Sequence, residues 1–200
     1  RSMGGGTDSW EPGIGAAPAV SALPREPCAD HSPLRNAYFG DLHVHTTYSW
    51  DGAGRGMSTT PNLAYRFATG EAIGLPPHDN EGKGLRTVQL QRPLDFAAVT
   101  DHAESIGEVN LCISPDSARY TSEACRSFRG GNRKEGPLAV LSSPMLAIRR
   151  NTRSERFCGA DNSLCRNASL DAWQIMQQAA EDWYDRSSDC SFTTFHGYEY

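Results

Sequence analysis

Two histidines stand one residue apart in the segment FGDLHVHTTYSWDG, Phe39 to Gly52, and an aspartate follows eight residues after the first of them. Imidazole and carboxylate groups are ligands that suit Zn²⁺, Fe²⁺ or Mn²⁺. Side chains two positions apart on a β-strand point to the same side, so His43 and His45 can face one ion together. One such pair among six histidines is weak evidence by itself, because it also arises by chance. With Asp51 beside it, the pair predicts a metal site.

Two later segments end in the same kinds of side chain. A nearly continuous apolar run, Leu94 to Val99, leads into Asp101 and His102, and a third predicted strand, Ser191 to Tyr198, ends beside Glu199. Functional sites of parallel α/β sheets are built at the carboxyl ends of the strands. Taken singly, Asp101 is typical of a helix cap, His102 of a core histidine and Glu199 of a solvated strand end. Three successive strand ends with a potential ligand each favour a shared metal centre.

The elements that must position these residues alternate between strand and helix. Thr60 and Pro61 are typical of a helix start, as N-cap and first helical residue, and Gly70 is typical of a helix end. Residues 71–93 are rich in glycine and proline around an alternating segment, which predicts a hairpin-like insertion. The predicted order is a strand Tyr38–His45, a helix 61–69, the insertion, a strand Leu94–Val99, a short helix from Ala103, an irregular segment to residue 168, a helix from a Ser169 cap to Trp183 and a strand Ser191–Tyr198. This order predicts an α/β fold with parallel strands.

The helix predicted from Ser169 carries a stripe of apolar residues at helical spacing. The stripe consists of Leu170, Trp173, Ile175, Met176, Ala179, Ala180 and Trp183. We interpret it as the face of the helix that packs on the core, and not as a binding site for a ligand.

The composition argues against some classes of partner. The 200 residues carry a formal net charge of −5, which argues against a nucleic-acid backbone as partner. No segment approaches the roughly 18 consecutive apolar residues that a membrane span requires. Residues 1–35 are rich in glycine, proline, alanine and serine without apolar periodicity, which predicts a flexible N-terminal tail or linker. The folded domain is therefore expected over residues 36–200.

Six cysteines are many for a chain of this length. None of them forms a C-x-x-C pair, which argues against a zinc knuckle or a thioredoxin-type motif. An even number in scattered contexts predicts disulfides and an extracytoplasmic, oxidising compartment, periplasmic or secreted. Buried free thiols in a cytoplasmic protein are the alternative. Six cysteines allow fifteen pairings, and the sequence does not choose among them.

Three motifs of this sequence resemble the PHP superfamily, named for polymerase and histidinol phosphatase. They are YFGDLHVHT from Tyr38, DFAAVTDHAE from Asp95 and GYEY from Gly197, and their wording is most similar to a bacterial branch of unknown function. The resemblance covers residues 36–200. It implies the N-terminal portion of a distorted (β/α)7 barrel with insertions, since further ligands of that family would lie beyond residue 200. It also implies a centre of two or three metal ions that hydrolyses phosphate esters.

The resemblance also assigns metal ligands. His43 and His45 resemble the first two ligands of one ion, His102 resembles a ligand of a second ion, and Glu199 resembles the carboxylate that bridges the two. Asp51 stands where the family often has a histidine, so either a second ion or the water on it is its expected partner.

Four further residues are candidates for roles other than metal binding, and three of them receive one. Asp101 is expected to hold a ligand imidazole in its tautomer, and with Asp51 it forms the predicted catalytic pair. Arg55 and Arg66 are candidate contacts for an anionic substrate. His196 has no counterpart in the family.

The residues and the resemblance together predict a metal-dependent hydrolase. The expected reaction is phosphoesterase chemistry on a small ester by a metal-activated hydroxide, with Zn, Mn or Fe as the ions. The same hydroxide could serve a hydrolase of carboxyl esters, amides or carbamates. An exported domain that binds metal without turnover is the alternative from another class. The sequence leaves the metal identity and the oligomeric state open.

Overall fold

The computed structural model describes residues 24–81, 83–130 and 155–200, so most of the predicted tail lies outside the described residues. The described strands are β1 (Gly40–Val44), β2 (Ile73–His78), β3 (Gly84–Val88), β4 (Phe96–Val99) and β5 (Thr193–His196). The described helices are α1 (Trp50–Ala53), α2 (Pro61–Ala68), α3 (Ile106–Ile113), α4 (Glu123–Phe128), α5 (Glu155–Cys158) and α6 (Ser163–Trp183), with a 3₁₀ turn at Ala103–Ser105 before α3.

Three of the strands form a parallel sheet in the order β1-β4-β5. The predicted α/β fold with parallel strands is therefore confirmed. The pairing of β1 with β4 shifts register between Asp41 and Val44, a stretch that contains His43 and lies immediately before His45. A bulge of this kind redirects the side chains that follow it. The sheet is open, and the described parts of the chain form no closed barrel.

The glycine- and proline-rich insertion folds as predicted. Its two strands, β2 and β3, pair antiparallel as a separate hairpin. Helix α2 also begins as predicted, with Pro61 at its start and the Thr60 hydroxyl accepting a hydrogen bond from the Leu63 N–H at 3.3 Å. These two elements connect β1 to β4 along the chain.

Helix α6 differs from the prediction at its N-terminus. It begins at Ser163 after the left-handed residue Asn162, so the prediction of a Ser169 cap is wrong. Ser169 lies inside the helix, where its hydroxyl donates to the Cys165 carbonyl at 2.8 Å. The Ser169 hydroxyl bonds a carbonyl of its own helix, so this serine is accommodated inside the helix and does not mark its start. Within the described ranges, no helix is long and apolar enough to cross a membrane.

The core lies between the sheet and the helices. It combines the buried face of α6 with residues of α2, β4 and the segment before β5, and its main buried members are Ala64, Tyr65, Ala97, Val99, Ala172, Met176, Ala180 and Phe192. Trp173 and Trp183 pack against it, whereas Leu170 and Ile175 are exposed, so the predicted stripe is only partly the core face. Helices α3 and α6 approach each other closely. A Cβ on Gly107 of α3 would lie 2.1 Å from the Cys165 carbonyl oxygen of α6, so only a glycine fits there.

The six cysteines lie in three pairs at disulfide distance, Cys28–Cys190, Cys112–Cys125 and Cys158–Cys165. The first pair ties the segment before β1 to the turn before β5 across 162 residues. Backbone hydrogen bonds from Glu26 to Arg186 and from Ala29 to Ser188 run beside it. Residues 24–35 contain no helix or strand, and their first part is bonded to the turn before β5.

Candidate metal centre

The carboxyl ends of the three parallel strands bring the predicted ligands together. His43 and His45 come from the end of β1, His102 follows β4 and Glu199 follows β5. The backbone fixes the last two in register, because His102 and Glu199 form an isolated parallel bridge. The Glu199 N–H donates to the Asp101 carbonyl at 3.1 Å, and the Glu199 carbonyl accepts from the Ala103 N–H at 2.9 Å. Glu199 is thus held at the site by its main chain.

Three imidazoles converge on one carboxylate oxygen. Glu199 Oε2 lies 2.7 Å from His45 Nε2, 3.1 Å from His43 Nε2 and 3.7 Å from His102 Nε2. The two Nε2 atoms of His43 and His45 are themselves 3.1 Å apart. Desolvation raises the pKa of Glu199, but the charge of His102 and the hydrogen bonds of His45 and His43 outweigh it, so this pKa lies below its ordinary value. The carboxylate is therefore ionised at neutral pH.

Asp51 lies on the other side of the His45 ring. Both of its carboxylate oxygens are 3.1 Å from His45 Nδ1, and the buried Ser49 hydroxyl donates to Oδ1 at 2.6 Å. Desolvation raises the pKa of Asp51, but the hydrogen bonds from Ser49 and His45 and the charges of His45 and His102 lower it below its ordinary value. A neutral His45 that donates its Nδ1–H to Asp51 presents the lone pair of Nε2 to the Glu199 side.

Two overlapping groups of donor atoms result from this arrangement. One group is His43, His45 and Glu199, and the other is His45, Asp51 and His102, with the donor atoms of each group within 4.8 Å of one another. The first group faces solvent, since the His43 side chain is 68% exposed, whereas those of His45 and His102 are 17% exposed. Mixed imidazole and carboxylate donors of this kind fit a divalent transition metal.

Asp101 is fully buried and does not contact a ligand imidazole. Its carboxylate accepts hydrogen bonds from the backbone N–H and the hydroxyl of Thr46, the latter at 2.6 Å. Burial raises the pKa of Asp101 above its ordinary value, although both Thr46 bonds act against this. The expected partner, an imidazole, is replaced by Thr46. Asp101 therefore fixes the backbone immediately after His45, which joins the ends of β1 and β4.

Arg66 and His196 have partners away from the cluster. Arg66 pairs with Glu71 at 2.6 Å, and it sits near the end of α2 where the Ala68 carbonyl bonds Leu94, just before β4 begins. That is the opposite end of the sheet from the ligands. Arg55 is exposed in the turn after α1, and its contact with a substrate stays a prediction. His196 bonds Glu181 of α6 at 2.9 Å, away from Glu199.

Sequence reasoning missed three residues that shape the site. Ser49 bonds Asp51 and also accepts, at 3.4 Å, from the His102 backbone N–H. The Trp50 ring stacks on the His102 ring with 4.9 Å between centroids, and Glu104 Oε1 lies 3.2 Å from His102 Nδ1. All three occur within the motifs that the sequence singled out, next to or near a ligand. The sequence shows which residues these are, but it does not show which side chains they contact.

A family model described as "Protein of unknown function (DUF3604)" matches residues 32–200, so the chain belongs to that family. Its match spans all three motifs and every ligand of the candidate centre. No curated protein and no solved structure matches the chain.

Proposed function

We propose that this protein is a metal-dependent hydrolase, and that its reaction is the hydrolysis of a phosphate ester at a centre of two or three divalent ions. The proposal joins the donor cluster to the resemblance of the three motifs to the PHP superfamily. In that family such a centre lies at the mouth of a distorted (β/α)7 barrel, to which the open sheet β1-β4-β5 would contribute three strands.

One observation supports the proposal most strongly: the Nε2 atoms of His43, His45 and His102 lie 2.7–3.7 Å from Glu199 Oε2. Holding three imidazoles this close to each other and to one carboxylate costs free energy, and a fold gains nothing from it if these side chains are only surface groups. A cation between them would compensate both the carboxylate charge and the facing nitrogen lone pairs. The four side chains come from segments far apart in sequence, so local structure alone does not account for their meeting.

The residues of this chain have separable roles in such a centre. When bound, divalent ions supply Lewis acidity, which polarises the ester and acidifies water. Glu199 would hold an ion together with His43 and His45, and His45 is the residue that the two donor groups share. Asp51 orients His45 through Nδ1 and leaves Nε2 for the ions. The exposed side of the cluster, at His43, leaves an approach for a small anionic substrate.

The cysteine pairs support a location outside the cytoplasm. Three pairs at disulfide distance are expected in an oxidising compartment and are rare where thiols are kept reduced. We therefore place the proposed hydrolase in a periplasmic or secreted setting. A mass measurement of the native protein, with and without a thiol reagent, would show whether six free thiols are present instead.

Elemental analysis tests the metal centre. We expect two or three equivalents of Zn, Mn or Fe in the full-length protein, and fewer in His45→Ala and in Glu199→Gln. His196→Ala is the matched control, because this histidine lies on β5 outside the cluster. A protein that binds no divalent metal at neutral pH, with its fold intact, would refute the centre.

Parallel assays on phosphate and carboxyl ester panels test the reaction. Turnover of phosphate monoesters or diesters that disappears in His45→Ala supports the phosphoesterase. Turnover of carboxyl esters, amides or carbamates alone would replace it with the other hydrolase class. Metal binding with no turnover on either panel would leave an exported metal-binding domain.

A further inference from the structure

The His102 imidazole is clamped on two sides by residues to which no role has been assigned. The Trp50 indole stacks on one face of the ring at an interplanar angle of 28°. Glu104, in the 3₁₀ turn that follows β4, brings Oε1 to 3.2 Å from His102 Nδ1. The Trp50 indole N–H donates to that same Oε1 at 3.4 Å. One carboxylate oxygen thus lies between an indole N–H and an imidazole nitrogen.

Two buried atoms at this contact lack a hydrogen bond. Among the described residues, His102 Nδ1 and Glu104 Oε2 are buried without a hydrogen-bond partner, although Nδ1 is within ion-pair distance of Oε1. A buried carboxylate oxygen without a partner is costly unless the group serves a neighbour. In the part of the chain that the structure describes, Oε1 has one other polar contact, with the Trp50 indole N–H, so the carboxylate is directed at the two rings.

The second buried imidazole of the cluster has the same arrangement. His45 has Asp51 at its Nδ1 and Glu199 at its Nε2, and His102 has Glu104 at its Nδ1 and Glu199 at its Nε2. In both rings Nδ1 faces the carboxylate of a nearby residue, and Nε2 faces the shared Glu199. Carboxylates placed on the far nitrogen of a histidine ligand fix its tautomer and ring orientation.

We infer that Glu104 and Trp50 are positioning residues for His102. Glu104 accepts a hydrogen bond from the Nδ1–H, and Trp50 fixes both the plane of the ring and the carboxylate of Glu104. The Nε2 atom of His102 is then left as the ligand atom. This inference rests on the proposed metal centre and extends it to two residues that do not touch the ions. Within the described residues Glu104 belongs to neither donor group of the cluster, and its Oε1 is directed at His102 Nδ1 and Trp50.

The tautomer of His102 in the metal-free protein is the first test. Imidazole ¹⁵N shifts should show the proton on Nδ1 in the wild type, and a mixture of both tautomers in Glu104→Ala. Glu104→Gln keeps an acceptor oxygen and should restore the wild-type shifts. Unchanged His102 shifts in Glu104→Ala would overturn the inference.

Zn²⁺ titration of the metal-free protein is the second test. We expect Glu104→Ala to weaken Zn²⁺ binding by about 10–100-fold, the effect usual for removing such a carboxylate. Glu71→Ala is the control, since Glu71 is an exposed partner of Arg66 at the other end of the sheet and should leave binding unchanged. Wild-type affinity in Glu104→Ala, or an equal loss in Glu71→Ala, would overturn the inference.

Trp50→Phe decides the question if Glu104→Ala does not fold. It keeps an aromatic ring over His102 but removes the N–H that holds Oε1. A loss of Zn²⁺ affinity supports the inference, and wild-type affinity overturns it. A wild type that binds no metal would refute the proposed function instead, while the tautomer measurement would still report on Glu104.

Discussion

The Nε2 atom of His45 lies 2.7 Å from Glu199 Oε2, although 154 residues separate the two in the chain. The contact is possible because β1, β4 and β5 are adjacent and parallel, so their carboxyl ends share one edge. The Asp101 carboxylate links the ends of β1 and β4 through its hydrogen bond with the Thr46 hydroxyl. The Glu199 backbone adds hydrogen bonds to the backbones of Asp101 and Ala103. The chemistry of the centre therefore depends on a sheet whose strands are joined at their ends.

Removing the charge of Glu199 should separate metal binding from folding. Glu199→Gln keeps the shape of the side chain but removes the anion to which the imidazoles of His43, His45 and His102 point. Because the side chain is 38% exposed, we expect little change in the unfolding free energy of the metal-free protein. We expect the loss of at least one metal equivalent by elemental analysis. Full metal content in this variant would contradict the bridging role.

Ser49→Ala should destabilise the fold at the site. The Ser49 hydroxyl is buried and links Asp51 to the His102 backbone, so its removal costs two hydrogen bonds, one of them to a charged carboxylate. We expect a loss of about 1–3 kcal/mol in the free energy of urea unfolding. The exposed Ser58 gives the control Ser58→Ala, which should change stability by less than about 0.5 kcal/mol. Equal effects of the two variants would contradict the linking role.

The Cys28–Cys190 pair should contribute strongly to stability. A cross-link over 162 residues removes much of the conformational freedom of the unfolded chain. We expect Cys28→Ser combined with Cys190→Ser to lower the unfolding free energy by about 2–4 kcal/mol. Glu26→Ala, which removes only the hydrogen bond that the Ser188 N–H donates beside the cross-link, should cost less than about 1 kcal/mol. An unchanged midpoint in the double variant would contradict this.

The turn before β5 should weaken in acid through Asp185. Its carboxylate accepts four hydrogen bonds from the backbone N–H and hydroxyl groups of Ser187 and Ser191. The ordinary pKa of an aspartate side chain is about 3.9. These bonds hold the pKa of Asp185 well below that value. A carboxyl group with a depressed pKa stabilises the fold above its unfolded pKa, and this contribution is lost as the pH falls through the folded pKa.

Unfolding curves between pH 7 and pH 2 would measure this contribution. We expect the wild type to lose stability below about pH 4 more steeply than Asp185→Asn, which should already be less stable at pH 7. Asp182→Asn, on the exposed last turn of α6, is the control and should keep the wild-type acid limb. Parallel curves for the wild type and Asp185→Asn would contradict the prediction.

Local signals in the sequence determined a good part of the architecture. The cap at Thr60 and Pro61 placed α2, the glycine- and proline-rich composition placed the β2–β3 hairpin, and apolar segments placed the three parallel strands. Each of these signals acts between residues close in the chain, where backbone preference and side-chain periodicity decide the structure. The same signals put His43, His45, His102 and Glu199 at strand ends.

Tertiary structure decided what no local pattern contains. The sequence pattern does not show that α6 starts at Ser163, that Leu170 and Ile175 are exposed, or that α3 approaches α6 closely at Gly107. The choice of one cysteine pairing among fifteen, the Thr46 partner of Asp101 and the clamp of Trp50 and Glu104 on His102 join segments that only packing brings together. Such contacts depend on distances across the fold, and spacing along the chain does not fix those distances.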